Sequence, residues 1–140
     1  MSTATTLAES NCALGRRFFA EQDRLRGGPA PELCAPGYEA TIGGMTTDRA
    51  GHEGFATGFY AAFPTVRHRI EEVFATDDRV AVRFTLAAPH QGSFFGIPAT
   101  NCDVSISANV ILDVADGKVT RLRALFDEAG LLRQIGVLQG

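Results

Sequence analysis

Between residues 103 and 114, "DVSISANVILDV", apolar and polar positions take turns. Val104, Ile106, Ala108, Val110, Leu112 and Val114 fall on one side; Ser105, Ser107, Asn109 and Asp113, with Ile111 among them, fall on the other. A period of two marks a half-buried strand. The same period runs through "VRHRIEEV" (66–73), where Val66, His68 and Ile70 oppose Arg67, Arg69 and Glu71. It returns in "RVAVRFTLA" (79–87), with Val80, Val82, Phe84 and Leu86 on a common face. "TDD" (76–78) is turn chemistry between those two strands, and the Asp-Gly of "ADGK" predicts a hairpin into a last strand over 118–126. There Leu122, Ala124 and Phe126 take one parity, Arg121 and Arg123 the other.

Before residue 66 the period is that of a helix. Over 5–26, Leu14, Phe18 and Leu25 form a stripe flanked by Cys12 and Phe19, and "RGGP" ends it. "APELCAPGY" predicts one helical turn bracketed by prolines, with Pro31 at its first position and Tyr38 opening a short strand. Over 48–62 Phe55, Phe59 and Ala62 are in register, and Pro64 stops the helix at the residue before it. After the last strand, Asp127 stands where the N-cap of a short helix over "EAGLLRQI" belongs. Helices first, then antiparallel strands with one apolar face, predict an α+β fold with helices on one side of a sheet.

The 140 residues fit a single domain, 1–140, large enough for one hydrophobic core. Thirteen Lys and Arg against 16 Asp and Glu leave a net charge of −3, which argues against a nucleic-acid surface. No block of like charge suggests a membrane patch, and no apolar run has the length of a membrane span. Cys12, Cys34 and Cys102 are an odd number without CxxC spacing, and "MSTATTLAESN" has no signal-peptide pattern. Free thiols in the cytoplasm are therefore expected. His52, His68 and His90 are too scattered for a metal triad, and no phosphate loop or nucleophile elbow occurs.

Five segments in this order, "GHEGFATGFYAAFP", "RIEEVFATDDRVAVRF", "HQGSFFGIPAT", "DGKV" and "FDEAGLLRQIG", carry a family resemblance over residues 34–136. The chain resembles the SnoaL-like polyketide (ester) cyclases of the nuclear-transport-factor-two-like, ketosteroid-isomerase-like superfamily. The resemblance implies a cone-shaped α+β barrel, three N-terminal helices packed on the concave face of a curved, mostly antiparallel sheet. It implies a deep pocket between helices and sheet, no metal, no organic cofactor and a homodimer. Members of the family close polyketide rings by an intramolecular aldol step in which a pocket carboxylate moves protons. Counted from "DGK" and "GLLRQIG", that carboxylate's position is Ala124, and the position of its polar partner is Val110. Parity places both on the apolar face. The usual acid and base are absent.

Four residues remain as candidates for the chemistry. His90, in "PHQG", matches a histidine that relatives often carry at this turn, and the rival reading is a rim residue that caps the glycine loop. His68 sits on the apolar parity of its strand, where a satisfied core histidine is the rival. Tyr38 comes from the segment that lines the pocket mouth in relatives, and a phenol is a ready oxyanion donor. Asp127 is the carboxylate nearest the vacant position, and capping the last helix is its rival role. Thr41 (at a place where relatives often carry histidine), Tyr60, Phe84, Phe94, Phe95, Val110, Ala124 and Phe126 are expected to contact the substrate. The polar strand face, Ser105, Ser107, Asn109, Arg121 and Arg123, is expected outside.

The expected function is a cofactor-free enzyme of antibiotic-type secondary metabolism, an isomerase or lyase that binds a hydrophobic polyketide-like molecule and promotes its cyclisation or isomerisation. Orientation alone can supply ~7–11 kcal/mol toward such a closure. Two rivals stand beside it. One is a hydroxylase-like member of the same family acting with a partner reductase; the other is a non-catalytic binding or dimerisation module. Epoxide-hydrolase chemistry on the same fold needs carboxylates bridged by an inward arginine, and Arg83 lies on the polar parity.

Overall fold

A computed structural model describes residues 5–138, so the ends of the expected 1–140 domain lie outside the described residues. Among the described residues three helices pack on a curved, open sheet of six strands in the order β2-β1-β6-β5-β4-β3. The strands are β1 (Cys34–Ile42), β2 (Met45–Asp48), β3 (His68–Ala75), β4 (Arg79–Pro89), β5 (Asp103–Ala115) and β6 (Lys118–Phe126). The helices are α1 (Leu7–Leu25), α2 (Arg49–Ala62) and α3 (Glu128–Gln134). All neighbouring strands run antiparallel except β1 and β6, which are parallel. No described helix is long and apolar enough to cross a membrane.

Each helix begins on the cap its sequence offers. Thr6 Oγ1 accepts the Glu9 N–H at 3.1 Å, Asp48 accepts that of Gly51 at 2.9 Å, and Asp127 that of Gly130 at 2.9 Å. A cap of this kind contributes about 1 kcal/mol. Helix α1 buries Asn11, Gly15, Phe18, Phe19 and Gln22 along one stripe. Gly15 lets the helix sit on β4: a Cβ there would lie 2.8 Å from Val80 Cγ1. At the helix start the Asn11 amide donates to the carbonyls of Thr76 and Asp77, both at 3.0 Å, tying α1 to the β3–β4 turn.

The expected alternation holds in β4 and β5, whose alternate residues from Val80 to Ala88 and from Val104 to Val114 are buried. Ser105, Ser107, Asn109 and Arg121 are exposed, and Arg123 reaches Asp113 at 2.8 Å on the outer side. Three local readings differ. The turn after the first helix is a 3-10 turn of only Pro31–Leu33, and β1 starts at Cys34 rather than at Tyr38. Its pairing with β6 breaks between Cys34 and Glu39, where Pro36 has no N–H to give and Gly37 takes φ +80°. Strand β2 was unforeseen, and Gly43 and Gly44, both left-handed, turn β1 back into it. Strand β3 runs from His68 to Ala75 instead of 66–73, with a bulge between Ile70 and Glu72 that brings Val73 and Ala75 onto the inner side.

Candidate active site

A cavity of about 80 Å³ opens between the helices and the inner sheet face. As formed, it is smaller than the roughly 300–1,000 Å³ usual for small-molecule sites. Phe19 and Gln22 of α1 and His52, Phe55, Ala56, Phe59 and Tyr60 of α2 form one wall. The sheet supplies Ile42, His68, Phe84, Leu86, Ala108, Val110, Leu122, Ala124 and Phe126. Val110 and Ala124 are direct cross-strand partners, so this part of the floor is aliphatic.

The ionisable chemistry enters from the side instead. His68 Nδ1 lies 2.8 Å from Asp23 Oδ1, and the His68 backbone N–H donates to Asp23 Oδ2 at 2.9 Å. Tyr60 donates its hydroxyl to Asp23 Oδ1 at 2.6 Å. With both side chains only 12% exposed, the pair is largely withdrawn from water. Burial works to raise the Asp23 pKa, but the hydrogen bond and charge of His68, with the Tyr60 and backbone donors, prevail and hold it below the ordinary value. Burial, reinforced by the Asp23 carboxylate, pushes the Tyr60 phenol up. Asp23 does not line the cavity, whereas the His68 ring does. A proton on Nδ1 given to Asp23 would leave the Nε2 lone pair free on a residue that lines the cavity.

This corner is braced from several sides. The His68 ring packs edge-on to Phe84, with centroids 4.7 Å apart, and tilted against Phe19 at 4.9 Å. Arg26, which ends α1 in the left-handed region, lays its guanidinium 4.3 Å over the Tyr60 ring and donates to the carbonyls of Pro64 and Val66. The end of α1 is thereby fastened to the chain entering β3, which sets Asp23 against His68.

A second imidazole, His52, faces the same cavity. It is buried, and its Nδ1 lies 2.9 Å from the Tyr38 hydroxyl behind it. Burial, then the charge of His68, lowers its pKa to about 4, so it is neutral at ordinary pH. Burial pushes the Tyr38 phenol up. Gln22 completes the polar set. Its amide N–H donates to the Gly27 carbonyl at 3.4 Å, and its buried Oε1 has no partner among the described residues.

Of the sequence candidates, His68, Tyr60, Phe84, Val110, Ala124 and Phe126 share the cavity wall. Tyr38 stands behind it, against His52. The others lie elsewhere. His90 is fully buried against Phe63, and its Nδ1 accepts the Thr100 backbone N–H at 3.2 Å. Asp127 caps α3, and Thr41 bonds Thr46 at 2.8 Å across the β1–β2 hairpin. Phe94 is buried against Phe59 and Phe63, while Phe95 is 76% exposed. Asp23, Gln22 and His52 were not among the sequence candidates. Among the described residues no three His, Cys, Asp or Glu side chains converge as a metal site would need.

The sequence profile of the SnoaL-like polyketide cyclases matches residues 16–135. Among solved structures, the chain is similar to AclR, a proposed hydroxylase from Streptomyces galilaeus. The two share 28% identity over 96% of this chain and 100% of that one, with a TM-score of 0.84. A proposed SnoaL-like polyketide cyclase from Jannaschia sp. CCS1 shares the fold at 19% identity over 99% and 100% of the two chains, TM-score 0.83. So does IdmH, a proposed polyketide cyclase from Streptomyces antibioticus, at 23% identity over 92% and 97%, TM-score 0.72. No curated protein matches the chain.

Proposed function

The chain belongs to the SnoaL-like polyketide cyclase family, and we propose that its cavity binds a hydrophobic polyketide-like ketone and cyclises or isomerises it through the enolate, without a cofactor. The observation that carries this reading is the Asp23–His68 pair, with Nδ1 and Oδ1 2.8 Å apart at the edge of an apolar cavity. His68 Nε2 takes a proton from the carbon beside the carbonyl. The C–H electrons become the new C=C bond, and the carbonyl π electrons move onto oxygen. In an isomerisation of a ketone with a C=C bond next to that carbon, the enolate is a dienolate, and the imidazolium returns the proton to its far end as the C=C bond moves into conjugation with the carbonyl. In a cyclisation its carbon attacks a second carbonyl of the same molecule, and the proton passes to the new alkoxide. Asp23 holds the ring in one tautomer and stabilises the imidazolium, and general base catalysis of this kind contributes about 10²- to 10⁴-fold.

The family's vacant carboxylate position, Ala124, supports a transfer of the proton task to another wall of the same cavity. The test is α-proton exchange of 2-tetralone, a bicyclic aromatic ketone, in D₂O followed by proton NMR. The wild-type protein is expected to exceed the buffer rate and His68→Asn to return to it. No acceleration by the wild type overturns the reading.

The likeness to AclR at 28% identity favours a second reading, hydroxylation of an aromatic polyketide with a partner reductase. Oxygen uptake with a reduced nicotinamide and a reductase, dependent on this protein and on an aromatic polyketide, would establish it over the first.

A further inference from the structure

The Tyr38–His52 pair is buried, with His52 lining the cavity from the helical wall and Tyr38 behind it, and it is not used by the proton transfer just described. Its geometry fixes a tautomer. Among the described residues the Tyr38 hydroxyl has one partner, His52 Nδ1 at 2.9 Å. If Nδ1 carried the proton, the phenol O–H, only 3% exposed as a residue, would be left without an acceptor. Stranding a buried donor costs about 1–3 kcal/mol. Tyr38 therefore donates, Nδ1 accepts, and the single proton of the neutral imidazole sits on Nε2. Since the Nδ1 edge is turned to Tyr38 behind the wall, the Nε2–H edge is the one presented to the cavity. That N–H makes no hydrogen bond with the described residues.

We propose that His52 is a catalytic residue that donates a hydrogen bond from Nε2–H to the substrate's carbonyl oxygen and to the enolate oxygen that succeeds it, with Tyr38 as the positioning residue that fixes its tautomer. This rests on the enolate reading above. It assigns the two imidazoles opposite tasks. His68, backed by a carboxylate, offers a lone pair; His52, backed by a phenol, offers a proton. A neutral imidazole is suited to the second task because it stabilises developing negative charge without giving up its proton to the ground-state carbonyl. The low basicity that burial imposes on His52 keeps it in that neutral form. Phe55, Ala56 and Phe59 beside it leave few competing donors, which strengthens the hydrogen bond by excluding water.

Two measurements test the proposal. The first needs no ligand: long-range proton–nitrogen correlation spectra of the ¹⁵N-labelled protein at neutral pH, with the His52 signals identified by their loss in His52→Gln. The expected result is one neutral tautomer with its proton on Nε2, which becomes a mixture in Tyr38→Phe and is unchanged in His68→Asn. A proton on Nδ1 in the wild type overturns the proposal. The second is binding of 2-naphthol, whose oxygen mimics that of an aromatic enol. Affinity is expected to fall about tenfold in His52→Leu, the scale of one lost buried hydrogen bond, and to recover in His52→Gln, which restores an N–H. Equal affinity in wild type and His52→Leu, or no binding by the wild type, overturns it. If naphthol binding depends on His52 while 2-tetralone exchange stays at the buffer rate, the proton-transfer reading fails and the donor site stands.

Discussion

The Nδ1 atom of His68 lies 2.8 Å from Oδ1 of Asp23, a contact made across 45 residues of sequence. Asp23 occupies the last turns of α1 and His68 the first position of β3, so the pair forms only when helix and sheet are docked. The site is thus a product of tertiary packing at one corner of the cavity. The same carboxylate accepts from the Tyr60 hydroxyl and the His68 backbone. One side chain from α1 therefore fixes a residue of α2 and the start of a strand together.

Asp23→Asn keeps the size of the side chain but removes the charge that orients His68 and stabilises its imidazolium. The rate of 2-tetralone exchange is expected to fall by about 10²- to 10⁴-fold, with a smaller change in the affinity for 2-naphthol. A drop in affinity with an unchanged rate at saturation would place Asp23 in ligand binding instead.

The architecture was legible where one face of an element is buried throughout. The alternation of β4 and β5 appears in the sequence because each residue pair has one member inside and one outside. Strand β2 left no such trace: it is a short edge strand, and none of its residues is buried. His68 was visible by parity, but Asp23 was hidden because an aspartate in a helix ordinarily faces water. Its signal was its spacing, four residues after Phe19 and next to Gln22 on the buried stripe. His52 could have been found in the same way, since His52, Ala56 and Tyr60 recur at helical spacing on the buried side of α2. His90 fitted a family position, yet its place is set by Thr100 and Phe63, away from the cavity.

The burial of His52 makes the fold sensitive to acid. Its pKa is about 4 in the folded chain against an ordinary 6.5. Between those values the unfolded chain binds a proton that the folded one refuses. Stability should therefore fall as pH is lowered from about 6.5 to about 4, by on the order of 3 kcal/mol in all. Asp23, held below its ordinary value of 3.8, adds its own loss only at more acidic pH. Urea unfolding at a series of pH values should show a shallower slope across this window in His52→Gln than in the wild type.

Gly15 controls how closely α1 approaches β4. In Gly15→Ala the new methyl would lie 2.8 Å from Val80 Cγ1, on a β-branched side chain that is itself fully buried. The gain in helix propensity, about 1 kcal/mol, opposes an overpacking cost of about 1–3 kcal/mol. A net destabilisation of about 1 kcal/mol is expected by denaturant unfolding. Since a lifted α1 carries Asp23 with it, exchange activity should fall alongside.

Ala124 offers the sharpest probe of whether the floor and the side wall address one bound ketone. It pairs with Val110 across β5 and β6 and lies beside Ile42 of β1, all three in the cavity wall. A carboxylate introduced by Ala124→Asp would find few polar partners there, so burial should raise its pKa and the fold should lose about 1–3 kcal/mol. The informative protein is the double variant His68→Asn with Ala124→Asp. A carboxylate with raised basicity at the floor is expected to restore part of the 2-tetralone exchange that His68→Asn abolishes, with a pH dependence that follows the new acid. If the double variant folds and binds 2-naphthol but exchanges no faster than His68→Asn, the carbonyl held in this cavity is oriented toward the His68 wall alone.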